Sequence, residues 1–451
     1  MLGRAVRHLT SPHVLRLIAV VGVTGGALGL AVHLATNRSL VDRNGEPIGG
    51  DFISPYAAGR LVLEGAGARL YDLRLQQRTQ GRIIGRPEFR GLCSFVNPPV
   101  VAVALAPLAL LPFHAAYCLY TGLLLVAYLL GLWFLRPHLP AFRDAWGTVA
   151  GLGLLFYPMA ITITGGQNTA LTFLLLAGAY GCLRRGRAVA AGALLGLLLY
   201  KPQFALLPLL LVATQRRYRT LAAAGAVAAV LYLVGAAVCG FDWPLVMMRS
   251  LNAYWPLENR FNGRTSIALV GVCDAAIPHG TGRLIGMILS VAVAGLCLHG
   301  WRCCASEGRG LNLGWALAVS GGILVSPHTQ WYDAGLLLLS ALLVLDARLA
   351  RAGGVSTAGR AALVAGFCVP PMFGLGETLG FQPVFVLALA GFAWTWWEAV
   401  RGSGAGLPLE SGQARLPFTS NASRRPSPTK LSANSVIARA AHGNTTSHQS
   451  N

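Results

Sequence analysis

From Val14 to Val400 the chain alternates long apolar runs with short, arginine-rich polar links. About 20 apolar residues span a bilayer's hydrocarbon core, and in lipid only helices or closed barrels satisfy every backbone N–H and C=O. The pattern predicts an all-α, polytopic transmembrane bundle of about 12 helices. The predicted spans are residues 14–34, 113–135, 146–164, 168–183, 188–200, 203–214, 220–239, 281–300, 311–326, 331–346, 359–373 and 380–400. Two apolar stretches are left out. Residues 98–112 open at Pro98-Pro99 and close at Pro112, which predicts a re-entrant or interfacial piece. Residues 266–278 are short for a crossing.

The arginines orient these spans. Arg4, Arg7 and Arg16 flank the start of the first run, so its N-terminus is expected in the cytoplasm. That run is longer than a signal-peptide core and reads as a membrane helix. The long polar segment 35–94 is then a periplasmic loop, in which 52–63 has the apolar spacing of a short helix lying on the membrane surface. Arg184-Arg185-Gly186-Arg187 and Arg216-Arg217-Tyr218-Arg219 are both expected on the cytoplasmic side. The chain between them must go out and return, as two half-length helices of about 20 Å with Lys201-Pro202 at the outer tip. Lys201 is thereby placed at membrane depth. Both termini fall in the cytoplasm.

Composition sharpens this picture. Of the 451 residues 54% are hydrophobic and 12% charged, about half the charged fraction of a soluble domain. The net charge of +20 lies in links and tail, with no basic stripe interleaved with aromatics, which argues against a nucleic-acid partner. Lys201 and Lys430 are the only lysines, so a lysine kept inside an apolar stretch asks for a reason. The nine cysteines show no zinc or disulfide spacing. Residues 1–400 form the membrane domain. Residues 401–451 turn to Ser, Asn, Pro, Gly and Arg, which predicts a disordered, basic cytoplasmic tail able to touch anionic membrane lipids.

Four polar clusters gather on the predicted periplasmic side. They are Gly49-Gly50-Asp51 with Tyr56, Arg60 and Asp72; Gly165-Gly166-Gln167-Asn168; Tyr200-Lys201-Pro202; and Ser326-Pro327-His328 with Tyr332-Asp333. Each has a plain alternative: a loop ion pair for Asp51, an interface anchor for Lys201, a hydrogen-bonded interface residue for His328 and an N-cap for Asp333. Together they suit group transfer from a lipid phosphate, since a cation neutralises phosphate and a carboxylate takes a hydroxyl proton. Lys201 is the expected phosphate contact, with Arg60 beside it. Gln167, Asn168 and Tyr332 are expected to orient sugar hydroxyls. No spacing calls for a cofactor or a metal, although the external carboxylates are of the type that holds divalent cations.

The order Asp51, Tyr56, Leu70-Tyr71, Pro98-Pro99, Gly166-Gln167-Asn168, Tyr200-Lys201-Pro202, Ser326-Pro327 and Tyr332-Asp333 resembles glycosyltransferase family 87. The resemblance runs from the first helix to about residue 346. It implies a bacterial inner-membrane enzyme of the C-type glycosyltransferase fold, with a long first periplasmic loop. It implies an inverting hexosyltransferase that uses a polyprenyl-phosphate-linked sugar, as the family's mannosyltransferases do, and a lipid or glycan acceptor. The family's catalytic base, an aspartate of that loop, maps onto Asp51. Asn97 stands where members often have tyrosine, and Ser326–Asp333 resembles proteobacterial members more than actinobacterial ones.

The rival readings are a polytopic transporter or lipid flippase and a polysaccharide ligase or polymerase. The first usually shows two similar halves with charges at mid-membrane. No internal repeat is visible here. The second needs a large external loop late in the chain, whereas the long loop here comes first.

Overall fold

The apolar runs fold as helices, and among the described residues there is no strand; two isolated bridges, Val41 with Pro47 and Ser266 with Gln330, are the extended pairings. The computed structural model describes residues 2–36, 40–41, 47–86, 92–277, 280–304 and 307–401, all within one compact unit, Met1–Leu407. Apart from Arg401, the expected tail lies outside the described residues.

Among them, five helices are long and apolar enough to cross a membrane: Pro12–Thr36, Phe113–His138, Tyr218–Cys239, Thr281–Cys303 and Pro383–Arg401. Shorter apolar helices are Thr169–Arg184, Ala188–Tyr200, Pro202–Thr214 and Thr357–Cys368. The expected bundle of about 12 helices is thus a mixture of long helices and shorter ones. Ala188–Tyr200 and Pro202–Thr214 meet at Lys201, as the charge pattern requires. The first arm packs on Tyr218–Cys239 through Gly192 and Gly196. A Cβ at Gly192 would lie 2.2 Å from the carbonyl oxygen of Thr220, and one at Gly196 2.7 Å from that of Ala224. Without a hydrophobic drive between helices in lipid, such close backbone approach is what holds a pair together.

Four expectations change. The span 146–164 is broken: Pro140–Leu155 and Tyr157–Thr164 meet at a 69° bend. Phe156 leaves the helical region, so Pro158 falls in the first turn of a new helix, where its missing N–H costs no hydrogen bond. The helix Thr357–Cys368 ends early, and a 3-10 segment, Pro370–Leu375, follows it with Pro370-Pro371 in its first turn. Helix Trp243–Asn262 answers no predicted span, because Arg249, Asn252 and Glu258 interrupt its apolar run. The segment predicted to lie on the membrane surface forms helix Ile53–Leu63, with Ile53, Tyr56, Ala57, Ala58 and Leu61 buried in protein.

That burial has a partner. Residues 98–112 fold as helix Pro99–Leu105 and a 3-10 turn, Leu108–Leu110, so they are too short to cross. The Tyr56 hydroxyl donates to the Leu111 carbonyl (2.7 Å) and Arg60 Nη1 to that of Ala109 (3.2 Å). At the far end of Thr169–Arg184, Arg184 Nη1 donates to Asn312 Oδ1 (2.7 Å) and Asn312 Nδ2 to Asp346 Oδ2 (3.3 Å). Glu398, also buried, takes Arg348 and Arg351. These buried side chains thus pair with one another, which helps to fix how the helices pack.

Candidate active site

Two glycine turns interlock to place Asp51. Gly49 and Gly50 have φ of 83° and 55°, and Gly166 has 75°. A Cβ on Gly50 would lie 3.0 Å from the Gly165 carbonyl oxygen, and one on Gly166 2.4 Å from the Phe52 nitrogen. Only glycine accepts both the left-handed backbone and this approach. Asp51 N donates to the Gly165 carbonyl at 3.1 Å, closing the two turns on each other. The carboxylate is then met by Gln167, whose Nε2 donates to Oδ2, and by Cys93, whose thiol donates to Oδ1 at 3.2 Å.

The same turn leads to the cation. Thr169 Oγ1, two residues after Gln167, donates to Asp333 Oδ1 at 2.5 Å. Lys201 Nζ pairs with that same oxygen at 3.2 Å, and both charged residues are buried, 8% and 4% exposed. A buried pair repays its desolvation only when further hydrogen bonds complete it. Here Thr169 and the Gln330 N–H, 3.4 Å from Asp333 Oδ2, do so. Asp333 is thus the third residue of a capping box whose N-cap is Gln330, not the cap itself. Tyr200, beside Lys201, donates to the Asn168 carbonyl (3.0 Å) and shares a 2.6 Å bond with Thr172. The Asn168 Oδ1 is buried with no hydrogen-bond partner among the described residues.

One or more residues of each of the four clusters, namely Asp51, Gln167-Asn168, Tyr200-Lys201 and Asp333, therefore form one connected group, with Gln167–Thr169 as its hub. His328 and Tyr332 stand at its margin. The His328 ring lies edge-on to Trp255 (6.3 Å), and the Tyr332 ring edge-on to Trp331 (5.9 Å). The Tyr332 carbonyl accepts from Thr162 at 3.4 Å. Trp331 stacks on Phe373 (4.1 Å) and Tyr157 (5.5 Å), pinning the bent helix to this loop. Tyr56 and Arg60 do not join the group, since both are engaged with the 98–112 carbonyls. Asp72 is separate too. It caps helix Leu73–Ile83 through the N–H groups of Arg74 and Leu75. The Arg69 guanidinium at 2.7 Å and then these N–H groups hold its carboxyl below the usual carboxylate range. Among the described residues no three His, Cys, Asp or Glu side chains are grouped to hold a metal.

Sequence reasoning missed Cys93 and Thr169. Thr169 adjoins a motif already singled out, so helical placement could have found it. Cys93 carried no signal, since nothing local links it to Asp51, 42 residues earlier.

The model of glycosyltransferase family 87 matches residues 95–327, just over half of the chain. The chain belongs to glycosyltransferase family 87. The matched stretch holds Pro98-Pro99, Gly166-Gln167-Asn168 and Tyr200-Lys201-Pro202, while Asp51 lies before it and Asp333 after it. Membership, with the apolar helices, makes this family 87 protein a membrane glycosyltransferase. No curated protein and no solved structure matches the chain.

Proposed function

We propose that this family 87 enzyme transfers a hexose, mannose in the first instance, from a polyprenyl-phosphate donor to a lipid or glycan hydroxyl. Transfer takes place on the periplasmic face of a bacterial inner membrane, with inversion. The bundle of about 12 helices, its half-length pair at Lys201 included, is then a C-type glycosyltransferase fold. The observation that carries the reading is the continuous chain of contacts from the Asp51 carboxylate through Gln167–Thr169 to the Lys201–Asp333 pair. A base and a cation held by one short segment suit a reaction that makes one bond and breaks another at a single carbon.

In the step itself, the acceptor hydroxyl oxygen attacks the anomeric carbon while Asp51 takes its proton. The bond from that carbon to the phosphate oxygen breaks on the opposite face, and its electron pair leaves with the lipid phosphate. Lys201 uses one N–H on Asp333 and has two more to offer the phosphate, whose developing charge it stabilises. Gln167, Asn168 and Tyr332 orient the sugar hydroxyls. Asp333 keeps Lys201 in place. Tyr56 and Arg60 act through the 98–112 segment they brace.

Asp51→Asn tests this, because it keeps shape and hydrogen bonding but removes basicity. Consumption of labelled polyprenyl-phosphate-hexose by the purified enzyme in detergent is expected to fall about 10²–10⁴-fold in turnover, with donor KM nearly retained. Asp72→Asn, away from the connected group, is expected to fall far less. Wild-type turnover in Asp51→Asn would remove the base.

A further inference from the structure

Helix Leu73–Ile83 reads the extended segment after it through two glutamines. Gln76 Oε1 accepts from Phe95 N (2.8 Å), and its Nε2 donates to the carbonyls of Leu70 (2.8 Å) and Phe95 (3.3 Å). Gln80 Oε1 accepts from Cys93 N (3.1 Å) and its Nε2 donates to the Cys93 carbonyl (2.7 Å). Both glutamines are buried, at 1% exposure each. The spacings match. Residues four apart on a helix are about 6 Å apart along its axis, and residues two apart on an extended chain are about 6.6 Å apart. Each side-chain amide therefore takes the place that a neighbouring strand's peptide would fill. The segment Cys93–Phe95 gains a sheet partner without a sheet.

This clamp fixes which way the alternate side chains point. Phe95 enters the core beside Tyr71, with ring centroids 6.3 Å apart. Cys93, on the same side two residues earlier, delivers its thiol to Asp51 Oδ1 at 3.2 Å. Gln167 meets the other oxygen. We infer that Cys93 is a positioning residue for sugar transfer: its thiol, held by the Gln80 and Gln76 clamp, aims the Asp51 carboxylate together with Gln167. The inference rests on the reading of Asp51 as the base. A carboxylate with both oxygens tethered has lost free rotation about χ2, so the lone pair that takes the proton is set before the acceptor arrives.

Two measurements test it. Cys93→Ala is expected to lower kcat about three- to tenfold with donor KM unchanged, the effect of losing one weak hydrogen bond to a charged group. Cys93→Ser, whose hydroxyl also donates, is expected to restore most of that loss. Separately, maleimide labelling of Cys93, followed on its own peptide by mass spectrometry, is expected to run several-fold faster in Asp51→Asn. Removing the adjacent negative charge favours the reactive thiolate, which a merely space-filling cysteine would not register. Wild-type kcat in Cys93→Ala, or a labelling rate indifferent to Asp51→Asn, would overturn the inference. If Asp51→Asn were itself fully active, the base reading would fail instead, and the labelling rates would still report whether the thiol and the carboxylate are in contact.

Discussion

Lys201 and Asp333 are the residues on which structure and chemistry make competing demands. A buried ion pair stripped of one partner leaves an uncompensated charge and loses about 3–5 kcal/mol, whereas replacing both partners by apolar groups is often nearly neutral. Lys201→Met and Asp333→Asn are each expected to lower thermal stability in detergent by this mechanism, and Lys201→Met/Asp333→Leu to recover part of it, since Thr169 and the Gln330 N–H then lose their acceptor. Donor use separates the two roles. If Lys201 meets the lipid phosphate, the double variant regains part of its stability but not donor affinity, which stays roughly 10-fold or more weaker. Full recovery of transfer in the double variant would reduce Lys201 to a structural ion. At this scale the sequence singled out Lys201 as an ionisable group in an apolar run, and Asp51 and Gln167 beside their glycine pairs; Asp346 and Glu398, equally buried within predicted spans, went unremarked. What the sequence hid were residues whose meaning is a distant contact. Gln76 and Gln80 look like ordinary polar positions on a short helix, and Cys93 like any unpaired cysteine, until the fold brings them together.

Between elements, the close pair of Ala188–Tyr200 with Tyr218–Cys239 sets where Lys201 stands, because the first arm ends in the residue before it. Gly192→Leu would push side-chain carbon into the Thr220 carbonyl, and a loss of about 1–3 kcal/mol is expected from overpacking of this kind. Gly225→Ala, on the facing helix but with nothing within 4 Å of its added carbon, is expected to be neutral. Equal melting temperatures for the two variants would show that the contact is not what holds the pair. Helix positions followed from hydropathy with little trouble, while breaks and oblique elements did not. The 69° bend depends on how Pro158 is accommodated, and hydropathy does not distinguish a proline in a first turn from one inside a helix. Trp243–Asn262 fell below the threshold of a span because it carries charge along its length. The helix Ile53–Leu63 has the spacing of a surface helix; its burial follows from the 98–112 segment that covers it.

At the level of the molecule, the arginine asymmetry separates two ends: the connected polar group at one, Arg184–Arg187 at the other. The proposed orientation puts the first outside. Single cysteines replacing the exposed Arg74 and Arg187, in a background lacking the native thiols, should react oppositely with an impermeant maleimide on intact cells. Arg74 is expected to label and Arg187 to stay protected until the cells are opened; labelling of both from outside would overturn the orientation. The hub adds a mechanical point. Gln167 touches the base and Thr169 the partner of the cation, and two residues of backbone extend at most about 7 Å. Any rocking of the bent helix Tyr157–Thr164, which runs into this turn, carries both groups as two pegs on one bar. However that helix is tilted, the backbone positions of the two pegs cannot part by more than this short span.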